Sequence, residues 1–343
     1  MQLKDFDYNL PKELIAQKPL PRREQSRMMV VDRAKKEIKH ARFKDFPKYL
    51  QKNNLLVLNN TKVIPARTWG KKGESDIEFL FLREVKPNIW EVLCRPAKKA
   101  KKGSQIVFSS SLQAEVIEKG SEGRRMLRFS THKVLDELRK IGYAPLPPYI
   151  KRDKSEKGLK DFDLQRYQTV YAQKQGSIAA PTAGLHFTDK IFEQIKNRKI
   201  AYAFITLDVG LATFQPVRVK NIKNHKMLTE FFHISESSAR MINQAKRDSK
   251  PVVSVGTTTV RALESAAKNK GIQSGSQSTD LFIYSGYPFK IVDRLLTNFH
   301  LPGSTLLMLT SAFAGYDLIM EAYEEAVKKK YRFFSYGDCM YIK

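Results

Sequence analysis

A change in hydrophobic pattern along the chain constrains its fold more than any other feature. Between about residues 68 and 130, short strand-like runs such as "DIEFLFLREV", "IWEVLCRP" and "RRMLRFS" follow one another closely. After residue 163 helices alternate with strands, as where "TDKIFEQIKNRK" leads into "IAYAFITLDVG". Closely spaced short strands are typical of a small antiparallel barrel, whereas helix–strand alternation builds a largely parallel sheet.

These patterns predict an α/β fold in two domains. We expect a mainly parallel-sheet α/β domain formed by both chain ends, residues 1–66 and 155–343, with a small antiparallel β-barrel inserted as residues 67–154. The run Leu55–Leu58, before the insert, has the character of a buried strand. A chain of 343 residues, 42% of them hydrophobic, is long enough for two cores.

Local signals mark several element boundaries. Thr188 and either Ser235 or Ser237 are expected to begin helices, and Gly142 to end one. The proline-rich "YAPLPPYI" and the charged "KRDKSEKGLKDFD" are interpreted as a linker leaving the insert. The run "DLFIYSG" is predicted to be a strand, and two helices are expected before the final strand "CMYI".

The composition favours a polyanionic partner and an intracellular location. The formal net charge is +26, which favours nucleic acid, the alternative being a lysine-rich surface that is merely solvated. Two separate cysteines, Cys94 and Cys339, make a disulfide framework or a structural zinc site improbable and fit a reducing cytosol. The start of the chain does not resemble a signal peptide, and the most apolar segment, Leu306–Gly315, is too short to cross a bilayer.

The segment "VVSVGTTTVRALESA" has the pattern of a strand, a tight turn and a helix. Gly256 permits a close backbone approach, and Thr257–Thr259 supply hydroxyl and N–H groups at the helix start, where the dipole favours an anion. Ordinary helix capping by threonine is the alternative. Arg261 and Glu264 lie three residues apart on one helical face, so they either support a ligand or pair with each other.

Two further loops carry ionisable side chains among small residues. "AAPTAGLHFT" contains His186, which residue type alone favours as a surface histidine in a packing loop. "TLDVGLATFQPV" places Asp208 at a strand end, where α/β sheets bind ligands, although a turn or cap is the commoner role of such a residue.

The stretch "TNFHLPGST" puts four hydrogen-bonding side chains around a Pro-Gly bend before an apolar helix. Capping explains Ser304 and Thr305 but leaves Asn298 and His300 without a structural role. No GxxxxGK[ST], GxGxxG, HExxH or paired-cysteine pattern occurs, which argues against a P-loop ATPase, an ordinary dinucleotide fold, a methyltransferase with a glycine-rich first turn and the usual metal sites.

Several of these loops together resemble one known family. "NNTKVIPAR", "PLPPYI", "YQTVYA", "AAPTAGLHF", "TFQPV", "VGTTTVRALESA", "VDRLLTNFHLPGSTLLMLTSAFAGY" and "YRFFSYGDCMYI" occur in this order. The chain thereby resembles the S-adenosylmethionine:tRNA ribosyltransferase-isomerase family of the queuosine pathway, over nearly its whole length and least clearly across the insert.

The resemblance implies a monomeric, cytoplasmic enzyme with an α/β domain and an inserted barrel. It implies transfer and isomerisation of the ribosyl part of S-adenosylmethionine onto aminomethyl-deazaguanine at the wobble position of tRNA. Epoxyqueuosine-tRNA forms, and adenine and methionine leave. S-adenosylmethionine is then a co-substrate that is consumed, so no cofactor, metal or membrane is expected.

Residue chemistry and motif position together suggest roles for the polar loop residues. His186, His300 and, with less support, Asp208 are candidate acid–base or orienting groups, because their pKa values can be tuned towards neutrality. Asn298 is expected to bind a base edge or a ribose hydroxyl. The candidate S-adenosylmethionine-binding residues are Gly256, Thr257, Thr258, Arg261, Glu264, Asn298, Ser304 and Thr305. The candidate tRNA-binding residues are Arg22, Arg23, Arg27, Lys98, Lys99, Lys101 and Lys102.

Four positions depart from the family pattern, and two of them keep other interpretations open. Ala212 stands where glycine is common, and Gly303 stands where a larger polar or charged residue is typical. Asp208 and Leu228 stand where the family usually shows histidine. A decayed, non-catalytic tRNA-binding relative is therefore one alternative, and a transferase that uses the same donor on a different base is another.

Overall fold

A computed structural model of the chain describes residues 1–152, 158–210, 217–268 and 271–343. The strands, numbered in chain order, are β1 (Arg27–Asp32), β2 (Glu37–Arg42), β3 (Leu55–Asn59), β4 (Thr61–Val63), β5 (Arg67–Lys72), β6 (Ser75–Lys86), β7 (Ile89–Arg95), β8 (Gln105–Val107), β9 (Gln113–Lys119), β10 (Arg124–Phe129), β11 (Lys174–Ser177), β12 (Ala201–Leu207), β13 (Glu230–Ile234), β14 (Val252–Val255), β15 (Ala267–Lys268), β16 (Gly271–Ile272), β17 (Gly275–Thr279), β18 (Arg294–Asn298) and β19 (Cys339–Ile342).

The helices are fewer and lie mainly in the C-terminal half. They are α1 (Phe46–Tyr49), α2 (Val134–Ile141), α3 (Leu159–Arg166), α4 (Asp189–Asn197), α5 (Glu236–Arg247), α6 (Thr257–Ala266), α7 (Thr305–Ala314) and α8 (Tyr316–Lys328). Short 3-10 turns add Leu3–Phe6, Lys12–Leu14, Arg23–Gln25, Phe43–Asp45, Thr182–His186 and Ile222–Asn224. No helix within the described ranges is long and apolar enough to cross a membrane.

Within the described residues, nine strands form one mixed sheet in the order β17-β13-β12-β3-β14-β18-β19-β1-β2. The central strands β12, β3, β14 and β18 are parallel. Beside them, β13 is antiparallel to β12, and β19 is antiparallel to β18. Strand β19 is antiparallel to β18 because the helices α7 and α8 between them return the chain to the edge of the sheet at which β18 ended. The predicted α/β class is confirmed. Parallel pairing occurs at the centre and again between β1 and β19, so that four of the eight pairings described in this sheet are parallel.

The sheet separates two hydrophobic cores. Alternate residues of β3 point to opposite faces, so Leu55 and Val57 join one core while Leu56 and Leu58 join the other. Helices α5 to α8 cover the first face and α4 covers the second. Burial on both faces explains why the run Leu55–Leu58 of β3 is apolar without interruption.

The predicted barrel is confirmed as a closed antiparallel sheet in the order β10-β7-β6-β5-β8-β9. In the first half of β6, Ile77, Phe79 and Phe81 are fully buried inside it and alternate with partly exposed residues. The barrel strands lie within the predicted insert 67–154. The division into domains at these boundaries stays a prediction, and residue 155 lies outside the described residues.

Local expectations at the helix ends are confirmed, and two others are corrected. Thr188 and Ser235 accept N-cap hydrogen bonds, and Gly142 is the C-cap of α2. The run 280–286, predicted to be a strand, is irregular, because its apolar side chains cover the helical face of the core. The predicted linker is packed in its first part, where Leu146 and Ile150 are buried, and helix α3 begins within its second part.

Candidate active site

A cavity of about 660 Å³ opens where the parallel strands end. Gly256 follows β14, and Asn298 and His300 lie at the end of β18, so their loops meet at one edge of the sheet. The 3-10 turn Thr182–His186 forms another wall. The sequence-predicted residues that line the cavity are Gly256, Thr257, Thr258, Asn298, His300 and Ser304.

The start of α6 forms one side of the cavity. Gly256 has φ +90° and ψ 151°, a backbone conformation that is open essentially to glycine alone, and this conformation begins the helix beside the cavity. The Thr258 hydroxyl is buried and has no hydrogen-bond partner among the described residues. The neighbouring Thr259 hydroxyl donates to the Val255 carbonyl at 2.8 Å and only supports the helix. Thr258 is therefore available to a ligand.

Asn298 presents the second buried group without a partner. Its Nδ2 lies 3.1 Å from the Phe334 carbonyl, 3.4 Å from the Asp338 carbonyl and 3.3 Å from His186 Nε2. Its Oδ1 has no partner among the described residues, although the side chain is 2% exposed. Buried polar atoms are rarely left without partners, so Oδ1 marks a position for a hydrogen-bond donor on a ligand.

His300 lines the cavity in a neutral state. Its Nε2 lies 2.8 Å from Thr297 Oγ1, and the Tyr8 hydroxyl donates to its carbonyl. Burial lowers the pKa of the imidazole to about 3. Because His300 lines the cavity, its imidazole can exchange a hydrogen bond with a ligand.

His186 is also buried, but it lies behind the cavity wall. Its Nδ1 is 2.7 Å from Ser26 Oγ, and Asn298 occupies its Nε2. Burial, helped by the positive charges of Arg23 and Arg332, lowers its pKa to about 3. The structure therefore places His186 against Asn298 and not in the lining of the cavity. The surface position that residue type favoured for His186 is wrong, because its side chain is buried.

Asp208 lies in a neighbouring pocket of about 1050 Å³, between the sheet edge and the barrel. It accepts a hydrogen bond from Thr61 Oγ1 at 3.0 Å, and burial raises the pKa of its carboxyl group. Val209 lines both this pocket and the first cavity. Asp208 is thus adjacent to the cavity without lining it, and the loop 211–216 that follows it lies outside the described residues.

Arg261 and Glu264 do not line the cavity and do not pair with each other. Arg261 forms a buried ion pair with Glu230 and donates from Nε to the Leu281 carbonyl at 3.0 Å. Glu264 accepts the backbone N–H groups of residues 290–292 at 2.9–3.0 Å. Both side chains hold loops onto α6, and their expected contact with S-adenosylmethionine stays a prediction.

The Pro-Gly bend is followed by the helix cap that the sequence predicts. Ser304 is the N-cap of α7, and its hydroxyl accepts from the Leu307 N–H at 3.2 Å. Gly303 has φ +63°, in the left-handed region that favours glycine. Ser304 lines the cavity, whereas Thr305 is buried in the first turn of α7 and lies outside the lining.

The comparisons with known proteins agree over the whole chain. A family model described as "Queuosine biosynthesis protein" matches residues 3–342. The chain belongs to the queuosine biosynthesis family. It is 50% identical to the S-adenosylmethionine:tRNA ribosyltransferase-isomerase of Acetivibrio thermocellus and 49% identical to that of Halothermothrix orenii, covering 100% of each chain. It also matches a crystal structure of S-adenosylmethionine tRNA ribosyltransferase from Thermotoga maritima, with 38% identity and a TM-score of 0.56, over 99% of this chain and 100% of that one.

The two positions at which the resemblance leads us to expect histidine lie close together. Asp208 and Leu228 line the same pocket, although twenty residues separate them in sequence. This chain has one carboxyl group and one aliphatic side chain at these two neighbouring positions.

The basic residues predicted to bind RNA fall into two groups. Arg23 and Arg27 are used internally: Arg23 donates to the carbonyls of Gln165, Gln168 and Leu185, and Arg27 donates to that of Lys329. Exposed positions are occupied by Arg22, which pairs with Glu24, and by Lys98, Lys99, Lys101 and Lys102. Phosphate contacts by Arg23 and Arg27 would require these internal bonds to break, which leaves the exposed group as the better candidates.

Sequence reasoning did not select Tyr149, Ser335 or Ser26 as site residues. Tyr149, in the supposed linker, lines the cavity, and its hydroxyl lies 2.7 Å from Ser335 Oγ, which lines it too. Ser26 holds His186 from the side away from Asn298. Tyr149 and Ser335 belong to the queuosine-family motifs "PLPPYI" and "YRFFSYGDCMYI", and this membership was the signal that could have identified them. Nothing in the sequence connects Ser26 with His186.

Proposed function

We propose that this chain is an S-adenosylmethionine:tRNA ribosyltransferase-isomerase that modifies aminomethyl-deazaguanine at the wobble position of tRNA. In the proposed reaction the ribosyl part of S-adenosylmethionine is transferred and isomerised, epoxyqueuosine-tRNA forms, and adenine and methionine leave. The observation that carries the proposal is the cavity in which two buried polar atoms, Thr258 Oγ1 and Asn298 Oδ1, lack partners among the described residues. Full-length relatives that bear this name support it.

The cavity can serve a polar nucleoside carrying a carboxylate. The N–H groups at the start of α6, together with Thr258, would hold the methionine carboxylate, because a helix N-terminus favours an anion. Asn298 Oδ1 would accept from a hydroxyl or amino group of the donor substrate. Aromatic side chains in the lining, Tyr149, Phe299 and Phe334, offer flat apolar surfaces on which an unstacked base could rest.

The reaction needs proton transfer or hydrogen bonding at two points. A carbon next to the positive sulfur is acidified and can lose a proton, and the departing adenine needs a hydrogen-bond or proton donor. His300, which lines the cavity, is proposed for one of these tasks. Asp208 is proposed as a supporting carboxylate in the adjacent pocket, where a raised pKa suits proton exchange nearer to neutrality than for an ordinary aspartate.

The partners and the setting follow from the same proposal. The exposed basic residues Arg22, Lys98, Lys99, Lys101 and Lys102 would hold the anticodon arm by its phosphates. S-adenosylmethionine is consumed, so no cofactor is assigned. A monomer acting in the cytoplasm remains our prediction.

Nucleoside analysis tests the activity directly. We expect incubation of the protein with S-adenosylmethionine and tRNA carrying aminomethyl-deazaguanine to yield epoxyqueuosine in the tRNA digest, with one adenine released per modified nucleoside, both measured by mass spectrometry. Steeply salt-dependent tRNA binding without adenine release would favour the non-catalytic relative. Adenine release with a different modified base would identify the transferase that acts on another base.

Removing the Thr258 hydroxyl should weaken ligand binding without cost to the fold. In a Thr258→Val variant we expect affinity for S-adenosylmethionine to fall by about fivefold to tenfold, the usual worth of one hydrogen bond, and thermal stability to stay the same or rise. The matched control is Thr259→Val on the same helix, whose hydroxyl is already bonded. Calorimetric titration measures the affinities, and equal affinity losses in both variants would contradict the assignment.

A further inference from the structure

Three side chains behind the cavity, Ser26, His186 and Asn298, form a continuous hydrogen-bonded chain. The distances along it are 2.7 Å from Ser26 Oγ to His186 Nδ1 and 3.3 Å from His186 Nε2 to Asn298 Nδ2. Each member is less than 5% exposed. The chain ends at a backbone carbonyl on one side and at the cavity on the other.

The direction of every hydrogen in this chain follows from its fixed ends. The amide of Asn298 must turn its NH₂ group towards the carbonyls of Phe334 and Asp338, because its oxygen there would face two other acceptors. The same NH₂ group faces His186 Nε2, so that nitrogen must carry a lone pair. A neutral imidazole with a lone pair on Nε2 carries its hydrogen on Nδ1 and donates it to Ser26 Oγ, which leaves the Ser26 hydroxyl hydrogen for the Arg23 carbonyl at 3.1 Å.

Only one state of His186 satisfies both neighbours. A neutral imidazole protonated on Nδ1 donates to Ser26 and accepts from Asn298, whereas the charged form would direct an N–H at the amide NH₂ group. Burial and the nearby charges of Arg23 and Arg332 disfavour the charged form as well, lowering the pKa of His186 to about 3. The imidazole thus has no free nitrogen with which to exchange a proton with a substrate.

From this geometry we infer that His186 is a positioning residue, fixed in one tautomer by Ser26, which holds the Asn298 amide so that Oδ1 faces the donor substrate. Substrate contact is made by Asn298 and not by the imidazole. The group that meets Oδ1 is a hydrogen-bond donor, a ribose hydroxyl or an adenine amino group. The inference rests on the proposed function only for the identity of that substrate.

Two substitutions at His186 separate positioning from acid–base catalysis. In His186→Gln, the glutamine side chain places its amide oxygen, an acceptor, near the position of the imidazole Nε2. The amide cannot transfer a proton. We expect this variant to retain kcat/KM within about tenfold of the wild type. His186→Leu fills the space without an acceptor, and we expect a loss of about 100-fold, comparable with the loss of one preorganised hydrogen-bonding group.

A double-mutant cycle tests whether His186 acts through Asn298. If it does, His186→Leu combined with Asn298→Ala should be no slower than Asn298→Ala alone, within about twofold to threefold. Ser26→Ala should lower kcat/KM by about tenfold, because the imidazole loses the acceptor that selects its tautomer. His186→Gln should also leave the shape of the pH–rate profile unchanged between pH 6 and 9.

Three results would overturn the inference. They are a His186→Gln variant as slow as His186→Leu, the loss of a limb of the pH–rate profile in His186→Gln, and multiplicative losses in the double mutant. Affinity for S-adenosylmethionine, measured by calorimetry over the same cycle, provides a second readout that needs no turnover. If the wild type binds S-adenosylmethionine but produces no epoxyqueuosine, the proposed function fails while the cycle of affinities still tests the positioning role.

Discussion

Replacing Arg261 by methionine is expected to lower the free energy of unfolding by about 3–5 kcal/mol, because it leaves an uncompensated buried carboxylate. The side chains of Arg261 and Glu230 are 4% and 2% exposed and form an ion pair in the interior. Arg261 Nε also holds the Leu281 carbonyl, so the segment after β17 loses a tether in the same variant. Chemical denaturation, followed by fluorescence and circular dichroism together, measures the change.

A matched control is available on the neighbouring helix. Arg240 and Glu236 form an ion pair whose side chains are 73% and 81% exposed, so Arg240→Met should cost no more than about 1 kcal/mol. Adding Glu230→Leu to Arg261→Met removes both buried charges and should recover part of the loss. Similar unfolding free energies for Arg261→Met and Arg240→Met would show that the buried pair contributes no more than a surface pair.

Arg261 illustrates what the sequence could not supply. Two opposite charges three residues apart on a helix suggest either a mutual pair or a shared ligand, and both ideas use only neighbours in sequence. The true partners are Glu230, on β13, and for Glu264 the backbone of residues 290–292. Such contacts depend on how distant segments meet, which periodicity and capping signals do not encode.

The fold itself was accessible because its signals are local. Alternation in the first half of β6 and the continuous apolar run Leu55–Leu58 of β3 indicate which faces are buried, and Thr188 and Ser235 cap helices that the sequence alone delimits. The predicted strand at residues 280–286 was wrong for a physical reason. Apolar side chains that cover a core give the same sequence pattern whether or not the backbone joins a sheet.

The candidate site was accessible only in part. The positions of Gly256, Asn298 and His300 follow from the rule that loops at the carboxyl ends of parallel strands meet, so their convergence could be expected. The loops of His186 and Asp208 also reach this edge, but His186 points behind the cavity wall and Asp208 into the next pocket. Which way a side chain turns from its loop is set by tertiary packing.

His300→Ala is expected to reduce kcat/KM by about 10²–10³-fold, in the range of a lost acid–base or strongly positioned hydrogen-bonding group. His300 lines the cavity, and its Nε2 lies 2.8 Å from Thr297 Oγ1. Since burial lowers its pKa to about 3, the imidazole stays neutral at assay pH, and we expect no acid limb from it near pH 6.5.

The control is His132→Ala, an exposed barrel histidine, which should keep the wild-type rate. Adenine release measured against pH for both variants decides the matter, because a His300→Ala protein that turns over like the wild type would remove His300 from the reaction.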